Sequence, residues 1–366
     1  MTIPAEPVIY IAAGLFAIAV MVLVLPFKVR RIEENLEPFF LFMGVLAVTV
    51  SGLWSIELII DALKAPMVIG PLPVGIFQIV LLFGILLHYF KKPFYSLVNS
   101  LACRLSPRVF IFLLILLLGL LSSVISVILS AFLLVEIVAA LPLSKEDRIK
   151  LVVVSCFALA LGACLTPVGE PLSTILVMKL AGPPYHAGFL FPLQVFGIYM
   201  IPGVFALAVF GSLWLGPKLP LGKKEVEIRY PETLRKVVFR ALKVYVFVAA
   251  LILLGEGFRP LIMWYFSGLS PSLLYWFNSV SAVFDNATLT AIEINPALSL
   301  PQIINIIMGL SIAGGMLISG NIPNIVASGR LKITMKEWAK TGVPLGLAIM
   351  AIYFLILFLL PPLVLL

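Results

Sequence analysis

The sequence predicts an all-helical integral membrane protein, an inverted-repeat transporter with two re-entrant hairpins and two broken transmembrane helices. Three observations lead to this prediction. Of the 366 residues, 62% are hydrophobic and 11% are charged, where roughly 45–50% apolar is usual in soluble domains. Apolar runs long enough to cross a bilayer recur along the chain. Two of these runs are interrupted by Pro, Gly and polar residues, one in each half of the chain.

Apolar runs predict the helical segments. They lie at about 8–26, 38–60, 72–90, 109–142, 148–178, 187–215, 241–258, 260–299, 302–328 and 342–365. The first has neither a basic start nor a small-residue cleavage site, so we interpret it as a retained helix. The runs at 109–142 and 260–299 are too long for one crossing and too short for two crossings with a polar loop. We interpret both as re-entrant hairpins, which turn at depth and leave by the face they entered.

The positions of Lys and Arg support this topology, because basic residues concentrate in cytoplasmic loops. With the N-terminus outside and both hairpins re-entrant, all but three of the 25 basic residues fall on the inner side. The exceptions are Lys64, Lys179 and Arg259. We predict eight crossings in the cell inner or plasma membrane, with both termini outside. The net charge of +8 then reflects topology, and no nucleic-acid partner is expected.

The two halves are predicted to have opposite orientations. Three crossings separate their equivalent points, and an odd number inverts the second copy. The predicted division is N-terminal scaffold helices over 1–70, a first repeat over 71–215, a cytoplasmic linker over 216–240 and a second repeat over 241–366. Each repeat holds a hairpin, at 109–142 and 260–299, followed by a broken helix, at 148–178 and 302–328.

Each broken helix contains residues that cannot continue a regular helix. The first break is Thr166-Pro167-Val168-Gly169-Glu170-Pro171, where two prolines remove backbone donors and Gly169 permits a turn. The second lies between Gly314 and Asn324 and also contains glycines, asparagines and a proline. Unwound backbone offers carbonyls to a cation, and the start of the next half-helix offers amides to an anion. We expect each hairpin tip to point at its break.

The second hairpin tip, Ser281-Ala282-Val283-Phe284-Asp285-Asn286, places a carboxylate at the predicted bilayer depth. An ionisable group there costs at least ~2.5 kcal/mol and normally faces a protein interior where it has a function. Asp285 is therefore predicted to bind a cation or a proton, and a structural hydrogen-bonding role is the alternative.

These motifs resemble those of the ion transporter superfamily, which includes NhaD-type sodium/proton antiporters, arsenite permeases and divalent-anion/sodium symporters. The tip at 281–286 resembles the tip of the antiporters and arsenite permeases, and the first break is similar to their Thr-Pro-x-Gly-x-Pro break. The order of elements over about 70–366 also matches, and the resemblance is closest to an uncharacterised branch of cation transporters. It implies a homodimer in membrane lipids, with a scaffold, a mobile transport unit and elevator-type alternating access.

We predict sodium/proton exchange or another sodium-coupled cation transport, with sodium as coupling ion and no other cofactor. The predicted midplane contains acidic residues but no Lys or Arg, which favours a cation as the substrate. The predicted sodium ligands are Asp285, Asn286 and Thr166. The full predicted ion- and substrate-binding set is Ser122, Ser126, Thr166, Gly169, Glu170, Ser281, Asp285, Asn286, Thr288, Ser319, Asn321 and Asn324. The alternative is sodium-coupled uptake of a small anion or an amino-acid-like metabolite.

Other acidic residues and the histidines bear on the class of protein. Glu136 and Glu293 occupy matched positions on the return arms of the hairpins. We expect them to share a structural task, such as binding the opposite broken helix, and proton carriage is the alternative. With two separated histidines, no HExxH motif is present, and an intramembrane aspartyl pair would need a second aspartate beside Asp285. The protein is therefore not expected to be an enzyme.

Overall fold

The computed structural model describes residues 6–33, 35–68, 75, 77–78, 80–82, 84–86, 88–89, 100, 104–219, 233–282 and 286–359. All regular secondary structure in these residues is helical. Four helical segments are long and apolar enough to cross a membrane: Pro107–Ile125, Phe191–Lys218, Val237–Phe266 and Met335–Leu359. Shorter apolar helices accompany them. The described residues are therefore helical, and four of their helices have the length and composition of membrane spans, as the composition predicted.

The N-terminal helices are α1 (Ile9–Lys28), α2 (Arg30–Glu33), α3 (Leu36–Ser51) and α4 (Ile56–Lys64). The predicted single span at 38–60 is wrong, because Gly52 adopts a φ of 71° and ends α3. Ser55 then begins α4 by accepting a hydrogen bond from the backbone N–H of Leu58 at 3.0 Å, which is typical of an N-cap. Much of the predicted span at 72–90 lies outside the described residues.

The central helices are α5 (Pro107–Ile125), α6 (Val127–Ala140), α7 (Lys145–Ala163), α8 (Pro171–Lys179) and α9 (Phe191–Leu215). Ser126 separates α5 from α6 with a φ of 81°, so the chain turns at the serine-rich tip as predicted. Residues 164–170 separate α7 from α8. The interruption predicted from the Thr-Pro-x-Gly-x-Pro motif is therefore present.

The C-terminal helices are α10 (Leu234–Leu261), α11 (Pro271–Phe277), α12 (Asn286–Glu293), α13 (Leu300–Ala313), α14 (Ile322–Leu331) and α15 (Met335–Leu359). Helix α10 contains Pro260 and continues into a π-helical turn over Ile262–Phe266. The second helical pair therefore begins near residue 271 and not at 260. A 3-10 turn over Asn278–Ala282 leads towards its tip, and residues 314–321 separate α13 from α14.

Helix contacts follow one pattern in both halves of the chain. Helix α5 packs on α7 and α9, and α11 packs on α13 and α15. The return arms cross over, since α6 packs on α14 and α12 packs on α8. Helices α1 and α4 flank the pair formed by α3 and α10. Each half therefore supplies a helix that covers the half-helix after the break of the other half.

Candidate functional site

The first hairpin tip is hydrogen-bonded to the first break. The backbone N–H of Val127 donates to the carbonyl of Gly169 at 2.7 Å, and the hydroxyl of Thr166 donates to the carbonyl of Ser123. Position 169 admits no side chain, because a Cβ there would lie 2.0 Å from the carbonyl oxygen of Ala163. The tip and the break, predicted to lie together, are one bonded unit.

Glu170 ends this break in a buried position, with 2% of its surface exposed. Its Oε1 accepts a hydrogen bond from Sγ of Cys164 at 2.7 Å. The same Sγ lies 3.0 Å from Oγ of Ser311 on α13. A buried carboxylate needs such partners, because burial without them is costly. The chain Glu170–Cys164–Ser311 joins the first broken helix to the second.

The described start of the second tip, at Ser281, packs against the second break in a related way. The hydroxyl of Ser281 donates to the carbonyl of Leu310 at 3.2 Å, and a Cβ at Gly320 would lie 2.4 Å from the carbonyl oxygen of Ser281. Asn324 holds the unwound turn through its Nδ2, which donates to the carbonyls of Gly314 and Leu317 at 2.8 Å each. Both breaks therefore lie against their own hairpin tip.

Several buried amide atoms at the second break and at the start of α12 lack a hydrogen-bond partner among the described residues. Asn321 is fully buried, and neither its Oδ1 nor its Nδ2 is bonded. The Oδ1 of Asn324 and the Nδ2 of Asn286 are also buried and unbonded. Each such atom costs about 1–3 kcal/mol, and native structures keep few of them. A polar ligand would recover part of this cost, so the second break is the strongest candidate binding site.

Other predicted site residues serve mainly to hold the backbone. The hydroxyl of Ser122 lies 2.6 and 2.9 Å from the carbonyl oxygens of Gly119 and Leu159 and, by sharing its one proton between them, links α5 to α7. The Oγ of Ser126 accepts a hydrogen bond from the backbone N–H of Ile128 at 3.3 Å. The hydroxyl of Ser122 therefore has a structural role, and the oxygen of Ser126 helps to begin α6.

Of three further predicted site residues, the structure gives the position of two. Thr288 is buried on α12, and Ser319 is half-buried in a 3-10 turn within the second break. Asp285 lies outside the described residues. The predicted sodium site of Asp285, Asn286 and Thr166 therefore stays a prediction. Among the described residues, no three His, Cys, Asp or Glu side chains are grouped to hold a metal ion.

The two matched glutamates have different partners. Glu136 on α6 accepts a hydrogen bond from Arg330 of α14 at 2.5 Å, as predicted for contact with the opposite broken helix. Glu293 on α12 is buried and accepts from Nδ2 of Asn278 at 2.9 Å. Contact with the opposite broken helix is therefore seen for Glu136, whereas the hydrogen bond of Glu293 stays within its own helical pair, and a role in proton carriage stays a prediction for both.

Sequence reasoning missed Cys164 and Ser311, which join the two broken helices. Both flank a predicted interruption, since Cys164 directly follows α7 and Ser311 lies three residues before Gly314. That spacing could have identified them as part of the site. Their proximity could not be read from sequence, because 147 positions separate them.

The structure is thus a helical bundle with spans of membrane-crossing length, in which two interrupted helices meet at a buried polar cluster through Cys164 and Ser311. The model of the family described as "Protein of unknown function (DUF1646)" matches residues 12–360, and the chain belongs to that family. A search of curated proteins found no match. The family description names no activity.

Proposed function

We propose that this protein is a secondary active membrane transporter that exchanges sodium for protons or moves another cation with sodium. The observation that carries the proposal is the set of buried, unbonded amide atoms beside the second break. Transporters bind their substrates where discontinuous helices from two halves meet. The bond between Cys164 and Ser311 brings two such helices together here.

A cation suits the acceptors that the site offers. The Oδ1 atoms of Asn321 and Asn324 are buried and unbonded, and unwound backbone adds carbonyl oxygens of the kind that coordinate sodium in transporters. Asp285 would add a carboxylate that binds either sodium or a proton, which couples one ion to the other. Glu170 supplies a second buried carboxylate on the other break.

The second candidate function is sodium-coupled uptake of a small anion or an amino-acid-like metabolite. One observation favours it: the Nδ2 atoms of Asn321 and Asn286 are buried donors without acceptors. A bare cation leaves these donors unbonded, whereas a carboxylate accepts from them. Ser126, Thr166 and Thr288 would complete this site.

The transporter proposal includes an inverted arrangement of the halves, re-entrant hairpins, a homodimer and elevator-type movement. The recurring helix order and the crossed contacts of α6 and α12 support the repeat. Single cysteines at two exposed positions, Glu146→Cys and Ala297→Cys, test it by labelling with an impermeant thiol reagent. We expect residue 146 to label from the cytoplasm and residue 297 from outside. Labelling of both from one side would rule out the inverted arrangement.

The transport activity can be measured with purified protein in proteoliposomes that hold an acid interior and a pH-sensitive dye. We expect an external sodium pulse to dissipate the gradient, and Asp285→Asn to abolish the response. Ser155→Ala is the control, because Ser155 is buried and its hydroxyl donates within its own helix, to the carbonyl of Leu151 at 2.7 Å. A gradient that persists in wild-type vesicles would exclude exchange. Sodium-dependent thermal stabilisation that requires an added metabolite would then support the symporter.

A further inference from the structure

A cavity of about 760 Å³ lies apart from both breaks. It is lined by α4, by the end of α8 with the turn that follows it, by α10 and by residues 294–297 after α12. None of the residues between 164 and 170 or between 314 and 324 lines it. Its volume is in the range of small-molecule binding sites, roughly 300–1,000 Å³.

Cations exceed anions in this cavity. All three basic residues that the sequence analysis predicted on the outer side, Lys64, Lys179 and Arg259, line it. Two carboxylates, Asp61 and Glu256, accompany them. Arg259 and Glu256 neutralise each other as an ion pair at 2.9 Å, and Asp61 lies one helical turn before Lys64 on α4. The cavity therefore carries one surplus positive charge, shared between Lys64 and Lys179.

Lys179 is held where its charge faces the cavity. Its ammonium donates to the carbonyls of Ala291 and Ile294, the latter at 3.0 Å. An ammonium group has three donors, so one proton remains for a ligand. Gly255 on α10 makes room for this group, because a Cβ there would lie 2.4 Å from Cε and 2.5 Å from Nζ of Lys179.

The walls of the cavity are largely apolar. Leu58, Ile252, Met178 and Met263 line it together with prolines of the neighbouring turns. A small inorganic anion would leave these walls uncovered, whereas a molecule with an apolar chain would bury them. The cavity therefore suits an oxyanion attached to a short apolar chain.

We propose that this cavity binds such an amphipathic oxyanion, with its charged oxygens on Lys179 and Lys64 and its apolar part between α4 and α10. A short-chain carboxylate and the headgroup region of an anionic lipid both have this chemistry. Because the site contacts α4 and α10 on one side and α8 and the end of α12 on the other, its ligand holds these helices together. The proposal does not depend on which ion the breaks transport.

The test is thermal unfolding of the purified full-length protein at constant ionic strength, with potassium butyrate replacing potassium chloride in one arm. The second arm compares nanodiscs of phosphatidylcholine with nanodiscs that also contain phosphatidylglycerol. We expect a saturable rise in melting temperature in at least one arm, and that arm identifies the source of the oxyanion. Lys179→Gln should remove the rise.

Two further variants give a result even if Lys179→Gln fails to fold. Lys64 is exposed on α4, so Lys64→Gln should fold normally and weaken the apparent affinity by up to roughly fivefold, as expected of one exposed charge. Lys145→Gln is the matched control, because Lys145 is an exposed lysine paired with Glu337 away from the cavity. The proposal is overturned if neither arm shows a saturable rise, or if the Lys64 and Lys145 variants respond alike.

Discussion

Replacing Asn321 with leucine should make the ligand-free protein more stable and abolish its response to sodium. Leucine keeps the branched shape of the side chain but removes two polar atoms that are buried without partners. Asn324→Leu, three residues later, should instead make the protein less stable. Its Nδ2 makes two hydrogen bonds of 2.8 Å that leucine cannot make.

The expected magnitudes follow from these bonds. Removing the two unsatisfied atoms of Asn321, at the lower limit of about 1 kcal/mol for each, gains about 2 kcal/mol in total. The larger methyl groups cost about 1 kcal/mol in crowding. The net gain is about 1 kcal/mol. Asn324→Leu loses two hydrogen bonds of about 1 kcal/mol each and adds crowding of about 1 kcal/mol, whereas removal of its unbonded Oδ1 recovers about 1 kcal/mol. The net loss is about 2 kcal/mol. The two variants should therefore differ by about 3 kcal/mol, with opposite signs relative to wild type.

Thermal unfolding of purified protein, followed by tryptophan fluorescence with and without sodium, measures both effects. Wild type should be stabilised by sodium, as any protein is by a ligand that binds only its folded state. Asn321→Leu should unfold at a higher temperature than wild type without sodium and show no further rise with it. An Asn321 variant that is destabilised, or that keeps the full sodium response, would refute the assignment of this residue to the site.

Two other changes test the surroundings of the site. Gly169→Ala should destabilise the protein by about 1–3 kcal/mol, because the new Cβ would meet the carbonyl of Ala163 at 2.0 Å; Gly182→Ala, with nothing within 4 Å, should be near neutral in the same melt. A double-mutant cycle of Glu136→Gln and Arg330→Gln should give a coupling of about 0.5–1 kcal/mol that decreases with added salt. Equal effects of both glycine variants, or a coupling insensitive to salt, would contradict these assignments.

The sequence predicted the breaks well because their cause is local. Two prolines and Gly169 interrupt a helix whatever surrounds them, and the glycines and Pro323 act likewise in the second half. The first hairpin tip was also predictable from its serines. The second hairpin was predicted to start at 260, but α10 continues through Pro260 to Leu261, because a proline in a membrane helix is tolerated when neighbouring groups satisfy the freed carbonyl. Gly52 was missed because one glycine in an apolar run does not by itself indicate a turn.

The contacts of the candidate site were less predictable because they depend on distant packing. Glu136 and Glu293 occupy matched positions in sequence, yet only Glu136 meets a cation on the opposite half-helix. Glu293 instead accepts from Asn278, and Lys179 at the end of α8 donates to the backbone carbonyls of Ala291 and Ile294. Spacing predicts which face a residue occupies but not which of two nearby partners it will bind.

The crossed contacts of the return arms bear on how the protein is made. Helix α6 leaves the ribosome long before α14, and 194 residues separate Glu136 from Arg330. Until α14 is made, Glu136 lacks its ion-pair partner. The contact between α6 and α14 can therefore form only after most of the C-terminal half has been synthesised.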